Sequence, residues 1–167
     1  MWLKKYCLRK YCWLRRQILG ENASPEFIAR GWAIGMFYGC LIPFGVQLLC
    51  SIPTAFLLKG SKIGAALGTL LTNHVTIFFI YPAQCWVGNR LMGGSLSYAG
   101  IEMALEDVFK EQSFEALQKI GTELLIAFFI GGALLTLIMT PLTYWFVKRM
   151  VVMNRARIAA RQKKNQK

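Results

Sequence analysis

"GCLIPFGVQLLCSIP", residues 39–53, carries no charge and sits within a longer uncharged run from Gly31 to Leu58. Its flanks read as a membrane span, but its middle does not. Pro43 lacks the N–H that continues a helix, and Gly45 loses more chain entropy there than any other residue type, so the helix is expected to stop between them. Gln47 follows with a side-chain amide that needs hydrogen-bond partners wherever water is scarce. The stretch therefore predicts a chain that descends, turns and comes back, and the remaining sequence decides whether that is allowed.

Two more uncharged runs follow, Ile63 to Val87 and Leu124 to Val147. Each of the three exceeds the ~20 apolar residues that a helical span requires. At 55% hydrophobic residues, the chain is richer in them than the ~45–50% of soluble domains. These features predict an all-α integral membrane protein, a small helical bundle with broken or re-entrant helices. The first run begins near residue 31 and is longer than the ~7–15 apolar residues at the heart of a cleavable signal, so it is expected to stay in the mature chain.

The formal net charge of +12 is unevenly spread. Lys4, Lys5, Arg9, Lys10, Arg15 and Arg16 precede the first run, and Lys148, Arg149, Arg155, Arg157, Arg161, Lys163, Lys164 and Lys167 follow the last. Basic flanks favour the cytoplasmic side and attract the anionic headgroups of membrane lipids. No folded domain is left over to present this charge to nucleic acid. Three full crossings would put the two basic ends on opposite sides, against that rule. A re-entrant hairpin over 30–58 removes the conflict and leaves Lys59 and Lys62 beside the termini. The expected order is a cytoplasmic N-terminus, the hairpin 30–58, a broken crossing over 63–87, a polar region 88–123 outside the hydrocarbon, a return crossing 124–147 and a cytoplasmic C-terminus.

Around the membrane domain, 24–150, residues 1–23 read as a basic amphipathic helix in the interface. Trp2, Leu3, Tyr6, Cys7, Trp13, Leu14 and Ile18 share a face, and cations snorkel from the other. Ser24, Pro25 and Glu26 stand in the order of an N-cap, a first-turn proline and a first-turn acid, and predict a helix start. Region 88–123 holds most of the chain's 8 acids. Within it Ile101, Leu105, Val108, Phe109, Gln112, Leu117 and Ile120 are spaced as one helical face resting on the membrane domain. Residues 151–167 read as a basic C-terminal tail. Cys7, Cys12, Cys40, Cys50 and Cys85 form no Cys-x-x-Cys pair and are expected to stay reduced.

When 31–53 is laid over 60–82, Gly31, Ile34, Gly35, Gly39, Leu41, Val46 and Pro53 fall on Gly60, Ile63, Gly64, Gly68, Leu70, Val75 and Pro82. This predicts an internal repeat of a small-residue stripe, an interruption and an apolar segment. The stripes Gly31, Gly35, Gly39 and Gly60, Gly64, Gly68 let helix backbones approach closely, within the chain, in a homo-oligomer or against a membrane partner protein. The interruptions, Pro43 to Gln47 and Thr72 to Thr76, superpose. A repeat pulls against a single re-entrant hairpin, because two like units cross an even number of times. The third run would then have to turn back at Gly131-Gly132 or Thr140-Pro141, and the sequence leaves both arrangements open.

The segments "SPEFIARGWAIGMFYGCLIPFGVQ" (24–47) and "GTLLTNHVTIFFIYP" (68–82) resemble the DUF2062 family of uncharacterised bacterial inner-membrane proteins, over roughly residues 24–150. That family's pattern is a Ser-Pro start, a Gly-rich helix, a Pro-x-x-Gly-x-Gln-like turn, and later an Asn-Pro with flanking threonines. Pro43, Gly45 and Gln47 match the first turn with tighter spacing; Asn73 matches the second, and His74 stands where the pattern has proline. The resemblance implies a location in the bacterial inner membrane and a fold, and brings no chemistry. The attachment of some members to sugar-transferring domains hints at the cell envelope.

No Asp or Glu lies in the three runs, which disfavours ion-coupled exchange through intramembrane acids. His74 is the only histidine; without a second histidine or a cysteine cluster it is not a metal site, and a neutral, hydrogen-bonded histidine is a plainer reading than a proton relay. No nucleophile, base or metal arrangement points to an enzyme, and no cofactor is expected. Broken helices do build polar sites at membrane depth. The candidate substrate-binding residues are Pro43, Gly45, Gln47, Thr72, Asn73, His74 and Thr76, with Arg30 and Arg90 flanking them to guide an anionic headgroup. The sharper reading is a small transporter of a lipid or anionic substrate. The alternative is a non-transporting scaffold or accessory subunit of an envelope-related complex.

Overall fold

The computed structural model describes residues 23–42, 46–70, 76–106, 110 and 121–165. The expected interfacial helix up to residue 22, the site candidates Pro43, Gly45, Thr72, Asn73 and His74, and the amphipathic face beyond residue 106 lie outside the described residues. Among the described residues the secondary structure is all helical: α1 (Pro25–Leu41), α2 (Gln47–Leu57), α3 (Lys62–Thr69), α4 (Ile77–Leu91), α5 (Tyr98–Ala104) and α6 (Thr122–Asn165).

Local chemistry sets the helix ends. α1 starts where the sequence predicts, with the Phe27 N–H donating to Ser24 Oγ at 3.2 Å and Pro25 in the first turn. It stops at Ile42, which is extended (φ -108, ψ 137) as the residue before a proline prefers. α3 and α5 start in the same manner, on Ser61 and Ser97, whose hydroxyls accept the N–H of Gly64 and Gly100. α2 ends in a left-handed turn at Lys59 (φ 50), where the N–H groups of Lys59 and Gly60 bond the carbonyls of Phe56 and Ala55. α4 ends alike at Gly93 (φ 80), with Gly93 and Gly94 bonding Arg90 and Asn89.

The contacts give the directions. α2 folds back along α1: the Tyr38 hydroxyl hydrogen-bonds that of Thr54 at 2.9 Å, and the Arg30 guanidinium donates to the carbonyls of Leu58 and Lys59 at 2.9 and 3.3 Å. α3 then runs beside α1 in the same sense, Gly31 against Ser61 and Gly35 against Ala65 and Gly68. A Cβ on either glycine would strike α3 backbone, so this crossing is backbone on backbone. α6 runs opposite to α1. Arg155 donates to the Ala23 carbonyl, Val147 and Val151 pack on Ile28 and Ala29, and Gly132 faces the Cys40 carbonyl. α6 also opposes α4, with Ala127 against Gly88 and Gly131 against Gln84. Thus α1, α3 and α4 point one way, and α2 and α6 the other. α5 adds Ile101 to a cluster with Ile77, Tyr81, Cys85, Leu124 and Phe128, which Leu105 at its C-cap also joins.

Two expectations change here. α6 passes through Gly131-Gly132 and Thr140-Pro141 without turning back. The glycines are where α4 and α1 lean on it, and an exposed Pro141 forfeits only the bond to the Leu137 carbonyl. Residues 151–165 continue the same helix, so the expected boundary at 150 falls mid-helix; Val151, fully buried on α1, holds it there.

Charge separates along the helix axes. Arg30, Lys59, Lys62, Lys148, Arg149 and Arg155 belong to the end where α1 starts and α2 finishes, and Lys148 pairs with Glu26 at 3.0 Å. Arg90, Glu102, Glu106 and Glu123 belong to the other. Between them, large apolar side chains face outward, among them Leu49 (75% exposed), Phe79 (71%) and Leu137 (76%), while alanine, glycine and serine supply much of the interior. α6 is the one described helix long and apolar enough to cross a membrane, and only 33% of its most apolar window is buried within the chain.

Candidate functional site

The two interruptions meet at their rims. Gln47, the first residue of α2, is buried, and its Nε2 donates at 3.4 Å to the carbonyl of Thr69, the last residue of α3. Thr69 is itself fully buried and donates its hydroxyl to the Ala66 carbonyl at 2.7 Å. Half-buried Thr76 opens α4 on the far side of the second interruption. At both interruptions the N-cap residue, Val46 or Thr76, supplies no side-chain cap hydrogen bond, in contrast to Ser24, Ser61 and Ser97. Two helix N-termini, each with the partial positive charge of its macrodipole, therefore begin here without the serine caps used elsewhere.

A second polar group lies between α4 and α6. Gln84 is buried, and its Nε2 donates to the Phe128 carbonyl at 2.8 Å. That bond fixes the amide, because reversing it would set oxygen against oxygen. Oε1 is then buried without a partner, and so are the hydroxyl oxygens of Thr136 and Thr140 on α6. Thr136 and Thr140 continue, one turn at a time, the face of Gly132, over which the Gln84 amide lies. Each buried polar atom left without a partner costs ~1–3 kcal/mol. Gln84, Thr136 and Thr140 form an under-satisfied seam, able to accept hydrogen bonds and, through its hydroxyls, to donate them.

A family match covers residues 9–159. The chain belongs to the DUF2062 family. That family is described as uncharacterized protein conserved in bacteria, which gives this DUF2062 member kinship and no activity. No curated protein and no solved structure matches it.

In this DUF2062 chain the flanking arginines do not come together. Arg30 caps the C-terminus of α2, and Arg90 stacks over the Trp86 ring at 5.8 Å at the opposite end. Gly31, Gly35, Gly60, Gly64 and Gly68 all lie at the α1–α3 crossing, and Gly39 is buried on α1, so this stripe is occupied within the chain. Gln84, Thr136 and Thr140 are not among the residues that sequence reasoning selected for the site. The signal for Gln84 is the one that singles out Gln47: an amide inside an apolar run, close behind an internal proline, here Pro82.

Proposed function

We propose that this is a multi-pass protein of the bacterial inner membrane, with both termini cytoplasmic, and that it passes a lipid substrate along the seam between its broken helices. For the membrane setting, the support is the inverted distribution of side chains: small residues pack the interior, while Leu49, Phe79 and Leu137 face outward. The uncharged part of α6, residues 124–147, spans ~36 Å as helix, against ~30 Å of hydrocarbon. α1 and α2 make the re-entrant hairpin, α3 and α4 the broken crossing, and α6 the return. The gathering of Arg30, Lys59, Lys62, Lys148 and Arg155 at one end favours that end as cytoplasmic, with anionic headgroups around it.

The internal repeat is part of this reading. Each unit is a glycine-bearing helix, an interruption and a second helix with a proline inside and a left-handed closing turn. In this view one motif is folded once as a hairpin and once as a broken rod.

The observation that carries the transport reading is the set of buried, unpartnered oxygens on Gln84, Thr136 and Thr140. A protein that merely holds a place in the bilayer gains stability by replacing them with apolar groups, whereas a passage uses them whenever a polar headgroup goes by. No bond is made or broken in this proposal, so it describes no enzyme and asks for no cofactor. The rival is a non-transporting scaffold or accessory subunit, but the glycine faces it would offer a partner are already packed within the chain.

The test is movement of a fluorescent phospholipid across vesicles holding the purified protein. Thr136→Val combined with Thr140→Val keeps side-chain shape and removes both hydroxyls. Movement is expected to fall at least tenfold while thermal stability holds or rises; unchanged movement in the double variant, or none above empty vesicles with the native chain, refutes the reading. Single cysteines replacing Lys59 and Leu96 are expected to label from opposite faces, and labelling from one face overturns the topology.

A further inference from the structure

α6 does not stop where the bundle does. Past Arg155, whose guanidinium holds the Ala23 carbonyl, every residue from Ala156 to Lys164 is exposed, yet the helix runs on to Asn165. The exposed stretch, "ARIAARQKK", consists of alanine, arginine, glutamine and lysine apart from Ile158, and these are the residues that sustain a helix best without packing. The sequence leaves this charge without a folded surface; the continuous helix supplies one.

The charge on that surface has one sign. Lys148 pairs with Glu26, Arg149 lies over the Trp145 ring, and Arg155 is held at Ala23. Arg157, Arg161, Lys163 and Lys164 make no ion pair among the described residues, and no Asp or Glu follows Glu123 in the chain. Arg157, Arg161 and Lys164 recur at four and three residues and share a face, a spacing at which like charges repel. Ala156 and Ala160 lie between that row and Lys163, so nothing bulky stands among the cations.

Three anionic surfaces fit this helix badly. Counted from Val147, the end of the uncharged run, Arg161 stands ~21 Å along the axis and Lys164 ~26 Å. The headgroup layer of the surrounding bilayer is ~5–8 Å deep, and salt screens its charge within ~8 Å more, so its own lipids do not reach these cations. A protein partner would need apolar or aromatic anchors, and the stretch offers Ile158 alone, with no aromatic residue after Phe146. Single-stranded nucleic acid likewise finds no ring to stack on. A regular array of phosphates asks for neither. The ~12 Å major groove of duplex DNA admits a helix this slim, whereas that of duplex RNA is too narrow.

We propose that the α6 extension, residues 156–164, is a docking rod for duplex DNA, with Arg157, Arg161, Lys163 and Lys164 on phosphate oxygens and no base read. The stand-off distance rests on the membrane reading above, and the partner goes beyond it. Neutralising the cations also relieves their repulsion along the helix, so the rod is expected to gain helical stability when DNA is bound.

The test uses the full chain in nanodiscs of zwitterionic lipid and a short fluorescent DNA duplex, read by anisotropy across a salt series. Four phosphate contacts contribute roughly −3.6 to the slope of log affinity on log salt, a loss of ~100-fold between ~50 and ~200 mM. The combined variant Arg157→Gln, Arg161→Gln, Lys163→Gln and Lys164→Gln keeps helix propensity and is expected to flatten the slope by that amount. Arg157→Lys with Arg161→Lys keeps the charge and should keep the slope, as should Lys59→Gln with Lys62→Gln, which lies at the same end but off the rod. Duplex RNA, single-stranded DNA, polyglutamate and anionic vesicles, matched in charge, are expected to compete at least tenfold more weakly than unlabelled duplex DNA. Native binding by the combined glutamine variant, an equal loss in the Lys59 and Lys62 variant, or any of those competitors matching duplex DNA overturns the proposal. Nanodiscs open both faces and no lipid need move, so DNA binding by a chain that transports nothing leaves the rod standing, and transport without DNA binding removes the rod alone.

Discussion

Replacing Gly35 with alanine puts the α1–α3 crossing under direct strain. The new Cβ would fall on the Ala65 carbonyl oxygen, 2.8 Å from the Gly68 Cα and 2.9 Å from the Thr69 nitrogen. These are backbone atoms and cannot rotate aside. Carbon atoms pack at ~3.5–4.0 Å, so the helices must part by at least roughly 0.7 Å, and a gap of that size forfeits a quarter or more of each dispersion contact around it. The neighbouring cluster of Ile34, Ala55 and Ala65 shares that loss. Overpacking of this kind costs ~1–3 kcal/mol, and the better helix propensity of alanine returns at most ~1 kcal/mol. A net loss of ~2 kcal/mol, the upper limit less that gain, is expected in thermal or SDS unfolding of the purified protein in micelles. Gly100→Ala is the control, because the neighbour its Cβ meets is the Ser97 hydroxyl, at 3.3 Å; it should be neutral or up to ~1 kcal/mol stabilising. If Gly35→Ala is as stable as the native chain, α1 and α3 do not cross backbone on backbone.

Lys59→Gly should stabilise by up to ~1 kcal/mol, because a left-handed conformation strains every residue with a Cβ; a lower unfolding midpoint would contradict the turn closing α2. Glu26 and Lys148 predict a pH window. Hydrogen bonds from its own backbone N–H and from Lys148 hold the Glu26 carboxyl below its ordinary 4.5, and the same carboxylate holds the Lys148 ammonium above 10.5. A depressed acid stabilises above its unfolded value and loses that as pH falls through the folded one; a raised base stabilises below its unfolded value and loses that as pH rises. The contribution is therefore level between pH 4.5 and 10.5 and fades on either side. Thermal unfolding of Glu26→Gln should lie slightly below the native chain at pH 7 and converge with it in acid; a constant gap rules out the pairing.

The parts of the fold legible in the sequence are those decided within a few residues. Ser24, Pro25 and Glu26 mark the start of α1, and Pro43 marks its end, because caps and prolines act on their own turn. The roles of Gly131 and Pro141 were not legible. A glycine pair breaks a helix or cushions a neighbour depending on what packs there, and here α4 and α1 do. Arg30 reads from sequence as a headgroup guide because its partners, the Leu58 and Lys59 carbonyls, are made available only by the hairpin. Gln47 stands out in the sequence and Gln84 does not, although both are amides in apolar runs, since only the first interrupts its run beside a proline–glycine break.

The Gln84–Phe128 bond also sets an order of assembly. The acceptor follows the donor by 44 residues, which at ~5–20 residues per second of synthesis is a delay of roughly 2–9 s. During that interval α1, α2 and α3 already have one another, whereas α4 waits with a bare amide and no α6 to lean on. A ribosome stalled before α6, or a chain truncated there, leaves α4 as the segment that quality control would recognise first.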